Sequence, residues 1–307
     1  MKPIIKYRGG KSKEIKNFLQ FIPHDYDKYV EPFAGGAALY FYLEPQQALI
    51  NDINTRLTDF YLTVQNNYEQ LKKELDSLES IYHSNQIEYE IQKKSEVMQG
   101  YVENKNEALY YLLRDMYNGK IEKKYLEATL YYFINKTSYS GMLRFNSKGE
   151  FNVPFGRYKN FNTKMVSEEH SALLRRTEIT QMDYSKVFER CSTTDFVFLD
   201  PPYDCVFTDY GNVGGNDFLE QNQVKLAEDF RNLSAKSLMI IGKTELTKKL
   251  YEPYIKAEYS KKYAVNIRNR FKAESMHLII SNYYFFFLIK TPTPEFSTLP
   301  LPAPLQI

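Results

Sequence analysis

The sequence predicts an α/β protein in which a mostly parallel sheet is interrupted by a long helical insertion. Three observations predict it. Short apolar runs bounded by turn residues occur near the start of the chain and again after about residue 167. The segment between them, about Thr55 to Ser138, is rich in Glu, Lys, Leu and Tyr and contains no proline. Two apolar runs pass directly into turns built of glycine or proline, Ala34-Gly35-Gly36 and Asp200-Pro201-Pro202-Tyr203. Ligands of open α/β sheets bind at such strand ends.

The elements follow in order. The chain opens on Lys6-Tyr7-Arg8-Gly9-Gly10-Lys11-Ser12. A phosphate loop is rejected, because its upstream glycine is Ile5 here and no strand precedes it. A cationic glycine turn closing over a small ligand and a flexible basic N-terminus both stay open. A strand is predicted from Lys28 to Phe33, then the glycine turn, a helix over 37–43, and a strand over 48–50 that ends at Asn51-Asp52. Strand, glycine turn, helix, strand and acid is the order of a mononucleotide-binding half, whose acid accepts from ribose hydroxyls. Asp52 fits equally as the N-cap of a helix starting near Thr55.

In the insertion, Leu109, Leu112, Leu113 and Met116 recur at helical spacing. From Gly141 to Tyr158 the chain turns Gly-, Asn- and Arg-containing, with Ser147-Lys148-Gly149 as a hairpin turn. Strands are predicted over 178–181, 196–199, 237–241 and 278–287, and helices over 221–233 and 246–251. The expected units are 1–56 with 166–290, an inserted 57–165, and a tail over 291–307. The tail carries Pro292, Pro294, Pro300, Pro302 and Pro304, has little to bury and is expected to be disordered.

Composition narrows the function. Hydrophobic residues make up 43% of the 307, enough for a real core, and the net charge is only +2, so a nucleic-acid site must be a local patch. Cys191 and Cys205 are too few for a disulfide framework or a typical zinc site, which suits a reducing, intracellular compartment. No signal-peptide segment opens the chain, and the late apolar run from Tyr283 to Ile289 is too short to span a bilayer. No metal-ligand cluster is expected among the four histidines.

Two constellations carry chemistry. Phe196-Val197-Phe198-Leu199 reads as a buried strand that Pro201 and Pro202 terminate, since proline cannot donate to a ladder. A carboxylate, a rigid carbonyl and an aromatic ring then stand at the strand's end. They suit an amino group on a flat ring, such as a nucleobase amine; a plain strand-ending turn is the alternative. The second constellation is the segment from Asn135 to Lys164. It sets Lys136, Arg144, Lys148, Arg157, Lys159 and Lys164 against Glu150 alone, interleaved with Tyr139, Phe145, Phe151, Phe155, Tyr158 and Phe161. Basic residues neutralise phosphates and arginine reads guanine bidentately; a solvated basic hairpin is the bland reading.

In order, these motifs resemble the amino-group DNA adenine methyltransferases of the alpha arrangement, the Dam-like enzymes and GATC modification methylases. The likeness runs from about Lys2 to Lys290. It also includes Asn51-Asp52-Ile53-Asn54, Asn135-Lys136-Thr137-Ser138-Tyr139-Ser140-Gly141 and Phe151-Asn152-Val153-Pro154-Phe155-Gly156-Arg157-Tyr158-Lys159. The resemblance implies a Rossmann-like methyltransferase sheet with an inserted helical DNA-recognition domain carrying a β-hairpin. It implies S-adenosyl-L-methionine as donor, bound by Tyr7, Lys11, Phe33, Ala34, Gly35, Asp52 and Asp200. It further implies a flipped adenine held by Asp200, Pro201 and Tyr203. DNA contact is implied for Tyr139, Ser140, Met142, Arg144, Lys148, Pro154, Arg157 and Lys159. The expected partners are duplex DNA and, functionally, a cognate restriction endonuclease; no membrane is expected, and a cytoplasmic, microbial or phage-encoded enzyme is. Three departures stand out: Tyr7 where the family has Trp, Ser140 where it has Asn, and Gly242-Lys243 where relatives show Ser-Asn. RNA or protein amino methylation and a non-catalytic DNA-binding relative are the rival readings; protein glutamine methyltransferases favour Asn where Asp200 stands.

Overall fold

A computed structural model of the chain describes residues 1–95, 102–202, 218–262 and 274–284. Tyr203, Cys205 and the proline-rich tail lie outside the described residues. The described strands are β1 (Tyr29–Glu31), β2 (Ala48–Asn51), β3 (Thr177–Thr180), β4 (Phe196–Leu199), β5 (Lys236–Gly242), β6 (Ile255–Lys262) and β7 (Glu274–Ser281). They form one seven-stranded sheet in the order β3-β2-β1-β4-β5-β7-β6. β1 to β5 pair in parallel, whereas β7 runs antiparallel between β5 and β6. The order reverses between β1 and β4, so their C-terminal ends frame the crevice where such sheets bind ligands.

The short apolar runs form strands because both faces of the sheet are covered. On β4, Phe196 and Phe198 pack to one face while Val197 and Leu199 pack to the other. The first face meets α1 (Ile15–Phe18), α2 (Ala38–Leu43), α3 (Thr55–Asn66), α4 (Tyr68–Lys94), α5 (Lys105–Tyr117), α6 (Glu127–Thr137) and α7 (Glu168–Arg175) in a single cluster with Phe60, Leu75, Tyr82 and Phe133. The other face meets α8 (Tyr184–Phe188), α9 (Glu220–Asn232) and α10 (Glu245–Tyr251) through Val187, Leu226, Phe230 and Tyr251. Helices α3 to α7 lie between β2 and β3 in the chain, and α3 to α6 fall in the proline-free, helically spaced segment.

Two strand expectations are corrected. The last strand, predicted over 278–287, starts earlier and gives way after Ser281; residues 285–287 lie outside the described residues. At Asn282 half of the ladder continues, its N–H donating to the Ser237 carbonyl at 3.3 Å; the other half passes to its side chain, which donates to the carbonyls of Leu233 and Ala235 at 3.0 and 2.9 Å and accepts from Ser237 N at 2.8 Å. β6 is not predicted at all. Its three lysines and one glutamate obscure an alternation in which Ala257 and Tyr259 face the core and Glu258 and Ser260 face water.

Candidate active site

Three strand ends open on one cavity of about 970 Å³. Residues 7–11, the glycine turn, Asn51–Arg56, Met182–Tyr184, Asp200–Pro202 and Phe218 line it. At the end of β4, Lys11 Nζ donates to both carboxylate oxygens of Asp200, at 2.6 and 2.8 Å, and to the Gly9 carbonyl at 3.2 Å. Lys11 is 2% exposed and Asp200 21%, so the pair is shielded on the lysine side and open on the carboxylate side. A carboxylate oxygen can accept from more than one donor. Pro201 and Pro202 offer no N–H to fix the turn; the buried Gln223 of α9 does so, donating from Nε2 to the Pro202 carbonyl at 2.8 Å.

At the end of β2, Asp52 Oδ2 accepts from Gly35 N at 2.9 Å and Oδ1 accepts from Asn54 N at 2.9 Å. The cap of α3 is Asn54, whose side chain accepts from Leu57 N, so the N-cap reading of Asp52 is corrected. Asp52 stands two residues earlier, and its side chain closes a local turn instead. Burial pushes the Asp52 carboxyl above its ordinary pKa, while the bonds from Asn54 and Gly35 pull it back. The buried Asn51 stitches the neighbouring turns, donating to the carbonyls of Pro32 and Met182 at 2.9 and 3.0 Å.

The glycine turn is shaped by Tyr7. A Cβ on Gly35 would lie 2.7 Å from Tyr7 Cε1, and the backbone there is left-handed at φ +48°, so only glycine lets the ring close on the turn. Phe33 leads into that turn, with Tyr184 and Phe218 around it at ring-centre distances of 5.2 and 6.2 Å. At the end of β1, Glu31 is 2% exposed and accepts from Tyr29 Oη at 2.9 Å. Burial pushes its carboxyl well above the usual carboxylate range against that bond, and the Asp200 and Asp52 charges push the same way as burial.

Behind Lys11, Glu14 joins the N-terminal segment to β6 and β7. It accepts from Tyr259 Oη at 2.7 Å and lies 3.0 Å from His277 Nδ1 and 2.6 Å from Lys261 Nζ. Burial would raise its pKa, but the His277 bond, the Lys11 charge and the Lys261 and Tyr259 bonds hold it at about 2.

The basic segment after α6 forms an antiparallel ribbon pinned by two isolated bridges, Ser138 to Phe155 and Phe145 to Phe151. Gly149 N donates to Asn146 O at 2.9 Å and closes the predicted turn. Phe151, Val153 and Phe155 are buried, while Asn152 and Pro154 between them are exposed. Tyr139, Ser140, Arg144, Lys148, Pro154, Arg157 and Lys159 all lie on the exposed side, and Met142 is half-buried. Tyr139 N bonds Pro154 O at 2.9 Å, and Arg144 Nε bonds Asn152 Oδ1 at 2.9 Å.

Residues 7–267 match the family described as D12 class N6 adenine-specific DNA methyltransferase. The chain belongs to this family. It is 36% identical over 290 residues to the Type II methyltransferase M.CviBI of Paramecium bursaria Chlorella virus NC1A, covering 92% of this chain and all of that protein. It is 32% identical over 308 residues to the Type II methyltransferase M.MjaIII of Methanocaldococcus jannaschii, covering 92% and 99%. To a DNA adenine methylase of Salmonella typhi it is 27% identical over 260 residues, covering 81% and 83%. This is a DNA adenine methyltransferase built on a seven-stranded mixed α/β sheet.

Within this methyltransferase the structure brings Tyr7, Lys11, Phe33, Ala34, Gly35, Asp52, Asp200 and Pro201 to the lining of one cavity. Lys11 faces Asp200. Sequence reasoning misses Glu31, Tyr184, Phe218 and Gln223. The first two had a usable signal, because they lie at or just beyond β-strand C-termini. Gln223 had none, since nothing local ties an exposed-looking helix to a turn twenty residues earlier. No described helix is long and apolar enough to cross a membrane.

Proposed function

We propose that the enzyme transfers a methyl group from S-adenosyl-L-methionine to N6 of an adenine flipped out of duplex DNA, within a GATC-like site. The observation that carries this reading is the Asp200-Pro201-Pro202 turn opening on the same cavity as Asp52 and the glycine turn, at the point where strand order reverses. The residues fit the donor. Asp52 has lone pairs left for ribose hydroxyls, Phe33, Tyr184 and Phe218 offer ring faces for the adenine moiety, and Gly35 admits close backbone approach. When bound, the donor supplies a methyl group already activated by its positive sulfur.

The chain's own residues orient and hold. An adenine inside a duplex cannot reach the turn, so it must leave the stack. Asp200 and the Pro201 carbonyl accept from its amino group, and Tyr203 stacks on its ring. Lys11 holds Asp200 in one orientation before substrate arrives, the arrangement by which fixed charges contribute most. The exposed basic side chains of the ribbon neutralise phosphates, and Arg144 donates twice to a guanine. A cognate endonuclease, blocked by the methyl mark, is the functional partner that the Type II names of the relatives suggest.

The experiment is transfer of labelled methyl groups to duplex DNA, followed by digestion to nucleosides. Label is expected on N6-methyladenine, with GATC duplexes preferred over single-base variants. Label on cytosine, or on RNA or protein alone, overturns the activity; failure on GATC with success elsewhere overturns only the site.

A further inference from the structure

The cavity and the ribbon share one piece of chain. Lys6 N–H donates to Asn135 Oδ1 at 2.9 Å, and Asn135 Nδ2 donates back to the Lys6 carbonyl at 2.7 Å. Asn135 is fully buried and does not line the cavity. It stands near the end of α6, three residues before the bridge that roots the ribbon at Ser138. Lys136 Nζ donates to the Ile4 carbonyl at 2.6 Å, and Lys6 Nζ donates to the Lys136 carbonyl at 3.2 Å. The Lys6 ammonium also lies 4.3 Å from the centre of the Tyr158 ring. A Cβ on Gly141 would stand 2.9 Å from Lys6 Cδ, so the ribbon's own backbone packs on the Lys6 stem.

The same strap then enters the cavity. Tyr7, next in sequence, closes on Gly35 and Gly36, and Lys11 holds Asp200. Direct contacts therefore run from the ribbon root through residues 6, 7 and 11 to both the glycine turn and the catalytic carboxylate. An asparagine that bonds both the N–H and the C=O of one residue acts like a strand partner. It fixes the direction of the backbone at Lys6. A shift at the ribbon root must carry Tyr7 and Lys11 with it or break both bonds and strand buried polar groups.

We infer that Asn135 is a positioning residue that clamps residues 4–11, so that DNA on the ribbon and donor in the cavity favour each other's binding. This rests on the proposed function, which puts the donor in the cavity and DNA on the ribbon. Coupling of this kind is reciprocal, and its element is the strap: held as seen here, it completes both sites, and released, it completes neither.

The test is a binding cycle on the full chain, with S-adenosylhomocysteine as the unreactive probe. Its dissociation constant is measured by calorimetry without DNA and with a saturating duplex that the protein methylates. The unchanged protein should bind at least about fivefold tighter with duplex present. Asn135→Ala should bring that ratio close to one and weaken probe binding, although the residue is outside the cavity. Lys136→Met, which removes the Ile4 bond and the ammonium 5.0 Å from the Tyr132 ring centre but leaves both Asn135 bonds, should lower the ratio partway and serves if Asn135→Ala does not fold. A ratio that stays unchanged in every folded variant, or no ratio in the unchanged protein, overturns the inference. If the unchanged protein binds no probe at all, the proposed function fails first; if it binds and methylates with an insensitive ratio, only the clamp fails.

Discussion

Asp200 meets its counter-charge inside the protein, whereas Arg144 is exposed and bonds only the neutral amide of Asn152 among the described residues. The two regions differ throughout in this way. At the strand ends, Lys11, Glu14, Gln223 and Asn51 are buried and bonded before any ligand arrives. On the ribbon, Lys148, Arg157 and Lys159 stand in solvent, and Lys159 reaches Glu90 in a loose 3.2 Å pair. Exposed pairs of that kind contribute little. Charges fixed in a shielded site need no reorganisation when the reacting group arrives. Charges left in water can follow a phosphate backbone that is itself mobile, and release its counterions. Damage at the strand ends should therefore cost rate and stability together, while damage on the ribbon should leave both largely alone.

The largest effect should come from Asp200→Ala. Turnover should fall by about two decades or more, because the acceptor that orients the reacting amine is gone. The substitution also takes the carboxylate away from the shielded Lys11 ammonium, leaving it the Gly9 carbonyl and the Glu14 charge, which should cost up to about 3 kcal/mol of stability. Adding Lys11→Met should recover stability in urea unfolding without recovering methyl transfer. Near-normal transfer by a folded Asp200→Ala protein would place the acceptor elsewhere. Loss of rate without loss of stability would instead erase the contrast between the two regions.

A smaller effect is expected at Glu14, which the structure ties to the same edge. Its carboxyl lies at about 2 in the folded chain against an ordinary 4.5. A depressed carboxyl pKa means that folding favours the ionised form. The contribution is therefore present in full above pH 4.5 and disappears as the pH falls towards 2. At about 1.4 kcal/mol per unit it amounts to about 3 kcal/mol at most. Glu14→Gln should be less stable than the unchanged protein at pH 7, and the gap should close between pH 4.5 and 2. A gap that does not change with pH would show that Glu14 acts by packing alone.

These predictions concern groups that the sequence made legible to very different degrees. Asp52 and Asp200 could be placed because apolar runs ending in turn residues locate strand ends, and strand ends locate ligands. Whether Asp52 capped a helix could not be read, since Asp52 and Asn54 both suit a cap and only the fold puts the Asn54 side chain on Leu57 N. Glu14 and Gln223 were invisible because their partners lie on β6, β7 and the Pro202 turn, and no local pattern records contacts made across the sheet. β6 was lost for a physical reason too: an outer strand may carry Lys and Glu on its wet face, which hides the alternation on its dry one. The ribbon was legible as charge and aromatics, but its bridges are too few for a strand pattern to form.

The smallest effect is expected at the turn beside the ribbon root. Ser140 holds a left-handed backbone, φ +56° and ψ 12°, and is exposed. Such a conformation costs most side chains on the order of 1 kcal/mol, and asparagine less than serine, because its short amide bonds the local backbone. Ser140→Asn should therefore stabilise the chain by a few tenths of a kcal/mol, seen as a rise of about 1 °C in Tm. The Kd for S-adenosylhomocysteine in the absence of DNA should stay where it is, because the exposed Ser140 side chain bonds none of residues 4–11 among the described residues, while Asn135 and Lys136 do. A cofactor affinity that moved with Ser140 would mean that the turn over 139–141, and not only Asn135, sets the strap. The boundary between the fixed edge and the adaptable ribbon would then lie further out than the hydrogen bonds of Asn135 put it.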